Sequence, residues 1–311
     1  LKGGQRWYLG GYRYGERKQD PLKEIKEDAT ISEPRPVCLN QRPTVGVSLG
    51  CHVVGAACPH PDPHDPRTTM AGVRKRFAIK PPKACDATLE RFSKFVKTWV
   101  QQNLTPISAD EDVTVERWLA HSTYPDWRRK ELCVQWDGVG SIWDPDKSRR
   151  YFRCSSFMKD EFYPTFKHAR AINSRSDEFK CAVGPIFKLI EERVYENPAF
   201  IKHVPVADRP DYIMNRLHRE GAKYLATDYT AFESLFVEKL MIACEFQLYL
   251  YMTKELPDGP NFMRLVREVL GGKNLCVFKH FRVSVEATRM SGEMCTSLGN
   301  GFSNLMFMLF T

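Results

Sequence analysis

The chain has 311 residues, 42% of them hydrophobic and 12% aromatic, with 46 Lys and Arg against 38 Asp and Glu, a formal charge of +8. That is apolar matter for one large core or two small ones, and it excludes collagen-like, coiled-coil and wholly disordered chains. The moderate positive excess suits a nucleic-acid partner without requiring one.

The longest apolar run near the end, residues 305–310, is far short of the ~20 residues that span a bilayer. The opening LKGGQRWYLGGYRYGERKQD carries no apolar signal core. It begins on Leu1 rather than Met, which reads as a fragment or a processed piece. Ten cysteines without a dense framework read as reduced thiols in a cytosolic setting.

The first 80 residues are rich in Pro and Gly and predict short strands and loops, ending in the basic stretch GVRKRFAIK. Cys51, His52, Cys58, His60 and His64 cluster here, but their spacing matches no standard zinc finger. A Pro-rich loop with incidental histidines is the better reading. From Ala87 the period becomes helical: Leu89, Phe92, Val96, Trp99 and Val100 share one face. Residues 112–121 and 126–135 predict short helices, with Trp118, Trp127 and Trp136 in the core.

Residues 151–180 predict strands crowded with cations. Lys159, Lys167, Arg170 and Arg175 alternate with Phe157, Phe162, Tyr163 and Phe166. Such a surface suits a triphosphate or an RNA backbone, or is simply a solvated basic face. Helices are predicted at 184–195 and 208–219, then a short buried strand at 223–227 that ends on Asp228. A long helix is expected over 232–256 and another over 261–270. Residues 275–285 alternate as a hairpin with Lys279 and His280 near its turn. A final helix covers 294–310. The order is mixed α+β, without the βαβ rhythm of a doubly wound sheet.

Three segments could carry chemistry. In SGEMCTSLGNGFSN, Thr296 and Asn300 are four apart and share a helix face, about 6 Å apart along the axis. They offer a hydroxyl and an amide to a sugar hydroxyl, or to a packed polar neighbour. In KYLATDYTAFESLF, a strand-end Asp228 can hold a hard cation, and Glu233 stands at a helix head. Each also has a local reading, as a turn residue and as a first-turn acid. The cationic segment is the third.

Their order resembles the RNA-dependent RNA polymerases of positive-strand RNA viruses, especially the tombusvirus-like and nodavirus-like replicases. KHARAINSRSDEFK is similar to that family's motif F, DYTAFE to motif A, and RMSGEMCTSLGNGFSN to motif B. The resemblance implies a right-hand polymerase fold: an N-terminal extension and fingertip region over 1–80 and fingers over 81–221, with motif F at 157–180. A partial palm would follow over 222–311, with motif A at 224–234 and motif B at 289–304, interrupted by a helical fingers insertion. It implies template-directed nucleotidyl transfer with Mg²⁺, or Mn²⁺, held by Asp228 as the catalytic aspartate. Glu233 and Asn300, assisted by Thr296 or Ser291, would read the ribose 2′-hydroxyl. Ser291 and Gly292 would form the mobile loop, and Lys159, Lys167, Arg170 and Arg175 would hold the triphosphate or RNA. The implied partners are RNA template and product, ribonucleoside triphosphates, the missing C-terminal palm and thumb, and other replicase proteins. The implied setting is the host cytoplasm, at membrane-associated replication complexes.

Two departures stand out. Glu233 occupies a place where the family has Asp. No Asp-Asp pair exists anywhere in the chain, so the Gly-Asp-Asp of motif C is absent. The expectation is an N-terminal polymerase piece that ends inside motif B, lacks thumb and motif C, and is inactive alone. Leu305, Met306, Phe307, Leu309 and Phe310 are then expected to lack cover. A non-catalytic basic module that grips RNA or nucleotides is the alternative. A reverse transcriptase is disfavoured by the acid at 233.

Overall fold

The computed structural model describes residues 5–9, 12–17, 24–33, 59–137, 143 and 150–311, the first two segments by backbone alone. It is a mixed α+β fold with a five-stranded and a three-stranded sheet. Cys51, His52 and Cys58 lie outside the described residues. Among the described residues, no group of three His, Cys, Asp or Glu could hold a metal ion, and no helix is long and apolar enough to cross a membrane.

The small sheet has the order β2-β1-β4, from Gln5–Leu9 (β1), Tyr12–Arg17 (β2) and Pro59–Pro61 (β4). The larger one runs β3-β8-β7-β5-β6: Thr30–Ile31 (β3), Arg153–Met158 (β5), Ala171–Ser174 (β6), Lys273–Val277 (β7) and Arg282–Glu286 (β8). Its pairs are antiparallel except β5 with β7. The predicted hairpin at 275–285 is β7 and β8. Its burial alternates, because one face meets Cys154, Met158, Phe278 and Met290.

Helix α1 (Pro66–Arg76) stands where strands and loops were expected. Asp65 caps it by accepting from the Thr68 N–H, and Pro66 opens it with a φ already fixed for helix. The amphipathic helix predicted from Ala87 is α2 (Asp86–Asn103), which buries Phe92, Val96 and Val100. Two short helices follow, α3 (Val115–Ala120) and α4 (Asp126–Asp137). Trp118 is buried as expected, but Trp127 is 68% exposed because α4 buries only Leu132.

Helix α5 (Asp177–Tyr195) begins seven residues before the predicted start at Gly184, where Ser176 accepts from the Phe179 N–H. Pro185 sits inside it. Helix α6 covers Arg209–Leu217.

The buried strand expected at 223–227 does not form. Residues 221–230 are exposed coil, with Leu225 83% exposed. A strand needs a ladder neighbour, and no strand pairs with this segment among the described residues.

The single helix expected over 232–256 is three pieces: a 3₁₀ turn at Phe232–Leu235, α7 (Glu238–Ala243) and α8 (Glu245–Met252). Extended backbone at Phe236 and Val237 separates the first two, and Cys244 (φ −120°, ψ −89°) breaks the second junction. Both breaks serve one buried side chain. Phe236 lies under the Arg289 guanidinium, 4.1 Å from carbon to ring centre, and Glu245 accepts from Arg289 Nη2 at 2.5 Å.

Helix α9 (Gly259–Leu270) precedes the hairpin, and α10 (Thr296–Phe310) ends the chain. The end of α10 has more cover than expected. Phe307 and Phe310 pack on Phe92 of α2, Phe310 also meets Phe95, and Met306 is fully buried; Met308 and Leu309 remain exposed. The main core therefore lies among α2, α5, α8, α9 and α10, beside the five-stranded sheet.

Candidate nucleotide and metal site

A cavity of about 330 Å³ is lined by residues from all three of the segments singled out in the sequence. Lys159 and Arg170 come from the cationic hairpin, Asp228 and Glu233 from the acidic segment, and Ser291 from the Ser-Gly loop.

The cationic end is built by strand pairing. Met158 faces Ala171 across β5 and β6, and one further backbone bond, Lys159 N–H to Arg170 C=O at 2.8 Å, extends the ladder. Lys159 and Arg170 are thus cross-strand neighbours. Like charges placed so repel, and Glu161 sits between them. Arg170 Nε and Nη2 donate to its two oxygens at 2.5 and 2.6 Å, and Lys159 Nζ lies 3.0 Å away. These bonds, Arg170's first, push the Glu161 carboxyl down to about 2 and raise the Arg170 guanidinium above its usual value.

The acidic end depends on one strained residue. Ala231 has φ 53°, the left-handed region that favours glycine. The chain turns there from exposed coil into the 3₁₀ turn, which carries Glu233 to the cavity. Asn300, in the second turn of α10, donates from Nδ2 to Glu233 Oε1 at 3.2 Å.

The Ser-Gly loop is fastened to the edge strand β6. Asn173 N–H donates to the Ser291 C=O at 2.7 Å. Gly292 has φ +124°, and a Cβ there would lie 3.0 Å from the Asn173 carbonyl oxygen, so the turn requires glycine. Below the cavity, the Arg289–Glu245 pair is fully enclosed, and Tyr249 Oη donates to the same carboxylate at 3.0 Å. Such a pair fixes geometry more than it adds stability.

Several residues named from the sequence stand elsewhere. Arg175 is buried and lines no part of this cavity. Its guanidinium donates to Glu293, the Tyr151 C=O and Asn274 Oδ1 at 2.7, 2.6 and 2.5 Å. It rivets β6 to the Ser-Gly loop and to β7, so the triphosphate role expected of it is corrected to a structural one. Lys167 is exposed and does not line the cavity; it lies beyond the end of the hairpin ladder. The Thr296 hydroxyl donates to the Met290 C=O at 2.9 Å and accepts from the Gly292 N–H at 3.4 Å. It closes the Ser-Gly turn from beneath rather than facing the cavity. Gly292 shapes the same turn without lining the cavity.

Other lining residues escaped the sequence reading. Arg76 and Gly72 come from α1 and Asn173 from β6. The Asp-Pro start of α1 signals a helix, but nothing local says that its face turns to this cavity. Asn173 is 1% exposed, and its side-chain oxygen has no partner. A buried, unpaired carbonyl on a cavity wall is an acceptor for a ligand donor.

No family model matches the chain, and no curated protein matches it.

Chemically, the cavity is bipolar. Arg76, Lys159, Arg170 and the enclosed Arg289 supply positive charge to its wall. Asp228 and Glu233 supply carboxylates, with the Asn300 amide bonded to Glu233. Such a site fits a polyphosphate that is also bound to a divalent cation. Mg²⁺ is held by one or two carboxylates plus substrate phosphates rather than by an all-protein cage, so the exposed Asp228 is a suitable partial ligand.

Proposed function

We propose that this chain is part of an RNA-directed RNA polymerase and that the bipolar cavity receives a ribonucleoside triphosphate. The observation that carries the reading is convergence. Three segments spread over more than 140 positions, which in order resemble polymerase motifs, meet at one cavity. Asp228 would hold Mg²⁺, or Mn²⁺, together with the nucleotide phosphates; the bound ion would lower the barrier to attack by a primer hydroxyl. Lys159 and Arg170 would take the triphosphate and offset charge developing on it. Glu233 and Asn300 would read the 2′-hydroxyl, which both donates and accepts. The Ser291–Gly292 turn would flank the template.

Asp228 and Glu233 are the acids that line the cavity, and Glu233 is engaged by Asn300. Two-metal transfer calls for a further carboxylate close to Asp228. That favours a second reading for the chain by itself, as a module that binds nucleotide and RNA and does chemistry only when completed. The right-hand architecture, fingers with a partial palm, belongs to the same proposal.

The test is Mg²⁺-dependent extension of an RNA primer by the protein in its longest natural form, wild type against Asp228→Ala. The reading expects extension to vanish in the variant while RNA binding persists. Equal incorporation by both removes Asp228 from the chemistry. Salt-sensitive RNA binding with no extension by either leaves the binding module.

A further inference from the structure

We propose that Glu161, which does not itself line the cavity, holds Arg170 and Lys159 on its wall, and that an incoming polyphosphate must draw both cations away from it. The inference rests on the proposed function in one respect only, the choice of a nucleoside triphosphate as the natural anion. The geometry itself concerns any polyphosphate.

Arg170 offers its Nε and Nη2 edge to the two oxygens of Glu161 at 2.5 and 2.6 Å. This fork is the one a guanidinium presents to phosphate. Lys159 is drawn to the same carboxylate at 3.0 Å. The two cations that the hairpin brings to the cavity are thus both engaged by one acid of that hairpin, whereas Arg76 and Arg289 reach the same cavity from elsewhere. That acid is ionised at any ordinary pH, because its carboxyl is held near 2, first by the Arg170 bond.

The arrangement is built to open. Arg170 and Lys159 are each about half exposed, at 49% and 48%, so a ligand can reach them. Tyr163 Oη donates to Glu161 Oε1 at 2.5 Å, and the Tyr163 ring is anchored in the interior. When Arg170 turns to a phosphate, the carboxylate keeps that hydroxyl. Glu161 therefore sets a threshold. A monoanion gains little over the carboxylate it replaces, whereas a polyphosphate brings several charges to the same cations.

The experiment titrates inorganic tripolyphosphate into the whole chain without metal, for wild type, Glu161→Gln, Tyr163→Phe and Glu161→Gln combined with Arg170→Ala. Circular dichroism confirms that each is folded. Glu161→Gln keeps the shape and removes the charge, and should bind about ten-fold more tightly. Tyr163→Phe removes the donor that the displaced carboxylate would keep, and should weaken binding by a smaller factor. The double variant should lose the gain, which assigns it to Arg170. Unchanged or weaker binding by Glu161→Gln overturns the proposal, as does an absence of binding in every form. Failure here is separable from failure of the polymerase reading, because primer extension and its dependence on Asp228 are measured without reference to Glu161.

Discussion

The amide of Asn300 donates to Glu233 Oε1 at 3.2 Å and so joins two positions 67 residues apart. The Asn300 Oδ1 is buried and has no partner. The pair presents a carboxylate oriented by an amide beside the cavity. A sugar hydroxyl there could donate to the Glu233 carboxylate and accept the second Nδ2 hydrogen of Asn300, while Asn300 Oδ1 would need a separate donor.

Replacing Asn300 by Ala frees Glu233 from its guide. The ratio of affinities for ATP and 2′-deoxy-ATP should fall by roughly ten-fold, the size expected when a hydrogen bond to a charged group is lost. Competition binding with the two nucleotides measures it. An equal loss for both nucleotides would mean that Asn300 only holds α10 in place.

Arg175 separates a structural role from a ligand role. Arg175→Met strands the enclosed Glu293 carboxylate, which burial already drives above its usual range. Breaking one side of a buried pair costs about 3–5 kcal/mol. Urea unfolding should show that loss. Tripolyphosphate affinity per folded molecule should stay at the wild-type value, since the guanidinium does not reach the cavity.

Gly299 sits against the enclosed ion pair. A Cβ there would lie 2.2 Å from Arg289 Nη1 and 2.6 Å from Glu245 Oε2. Gly299→Ala should destabilise by about 3 kcal/mol, since it overpacks the site and pushes a buried pair apart. Gly301→Ala is the control on the same helix. Its Cβ would meet Phe200 at 3.2 Å, so the strain is smaller and the gain in helix propensity, about 1 kcal/mol, offsets it. Thermal melts of the two variants should differ by several degrees.

Lys26 ties the N-terminal segment to both flanks of the site. Its ammonium donates to Thr288 Oγ1 at 2.6 Å and to the Phe236 C=O at 3.5 Å. Burial pushes its amine down to about 8 from an ordinary 10.5. Between those values the unfolded chain binds more protons than the folded one, so this group makes stability rise with pH across that window. Below pH 8 the burial cost is fully present. Melting temperature from pH 7.5 to 10 should therefore climb relative to the Lys26→Met variant, and parallel curves for the two would refute the assignment.

The helix from Ala87 and the hairpin at 275–285 were legible because their hydrophobic period is a local property of adjacent residues. The run at 232–256 was not. Its period is helical, yet the backbone breaks at Phe236 and Cys244 so that Phe236 and Glu245 can both reach Arg289. That demand comes from a residue more than 40 positions away. The strand expected at 223–227 failed for the complementary reason, since a strand exists only where another strand lies beside it.

From the sequence alone came the segment order, the helical and alternating periods, and the choice of Asp228, Glu233, Asn300, Lys159 and Arg170 as residues of interest. Each follows from residue type and short spacing. Tertiary structure alone decided that Arg175 is interior, that Lys167 stands apart, and that Arg76 and Asn173 join the wall. It also decided that Glu161 lies between the two cations. Those facts depend on which surfaces meet after the chain folds, and burial and pairing between distant segments leave no periodic mark in the sequence.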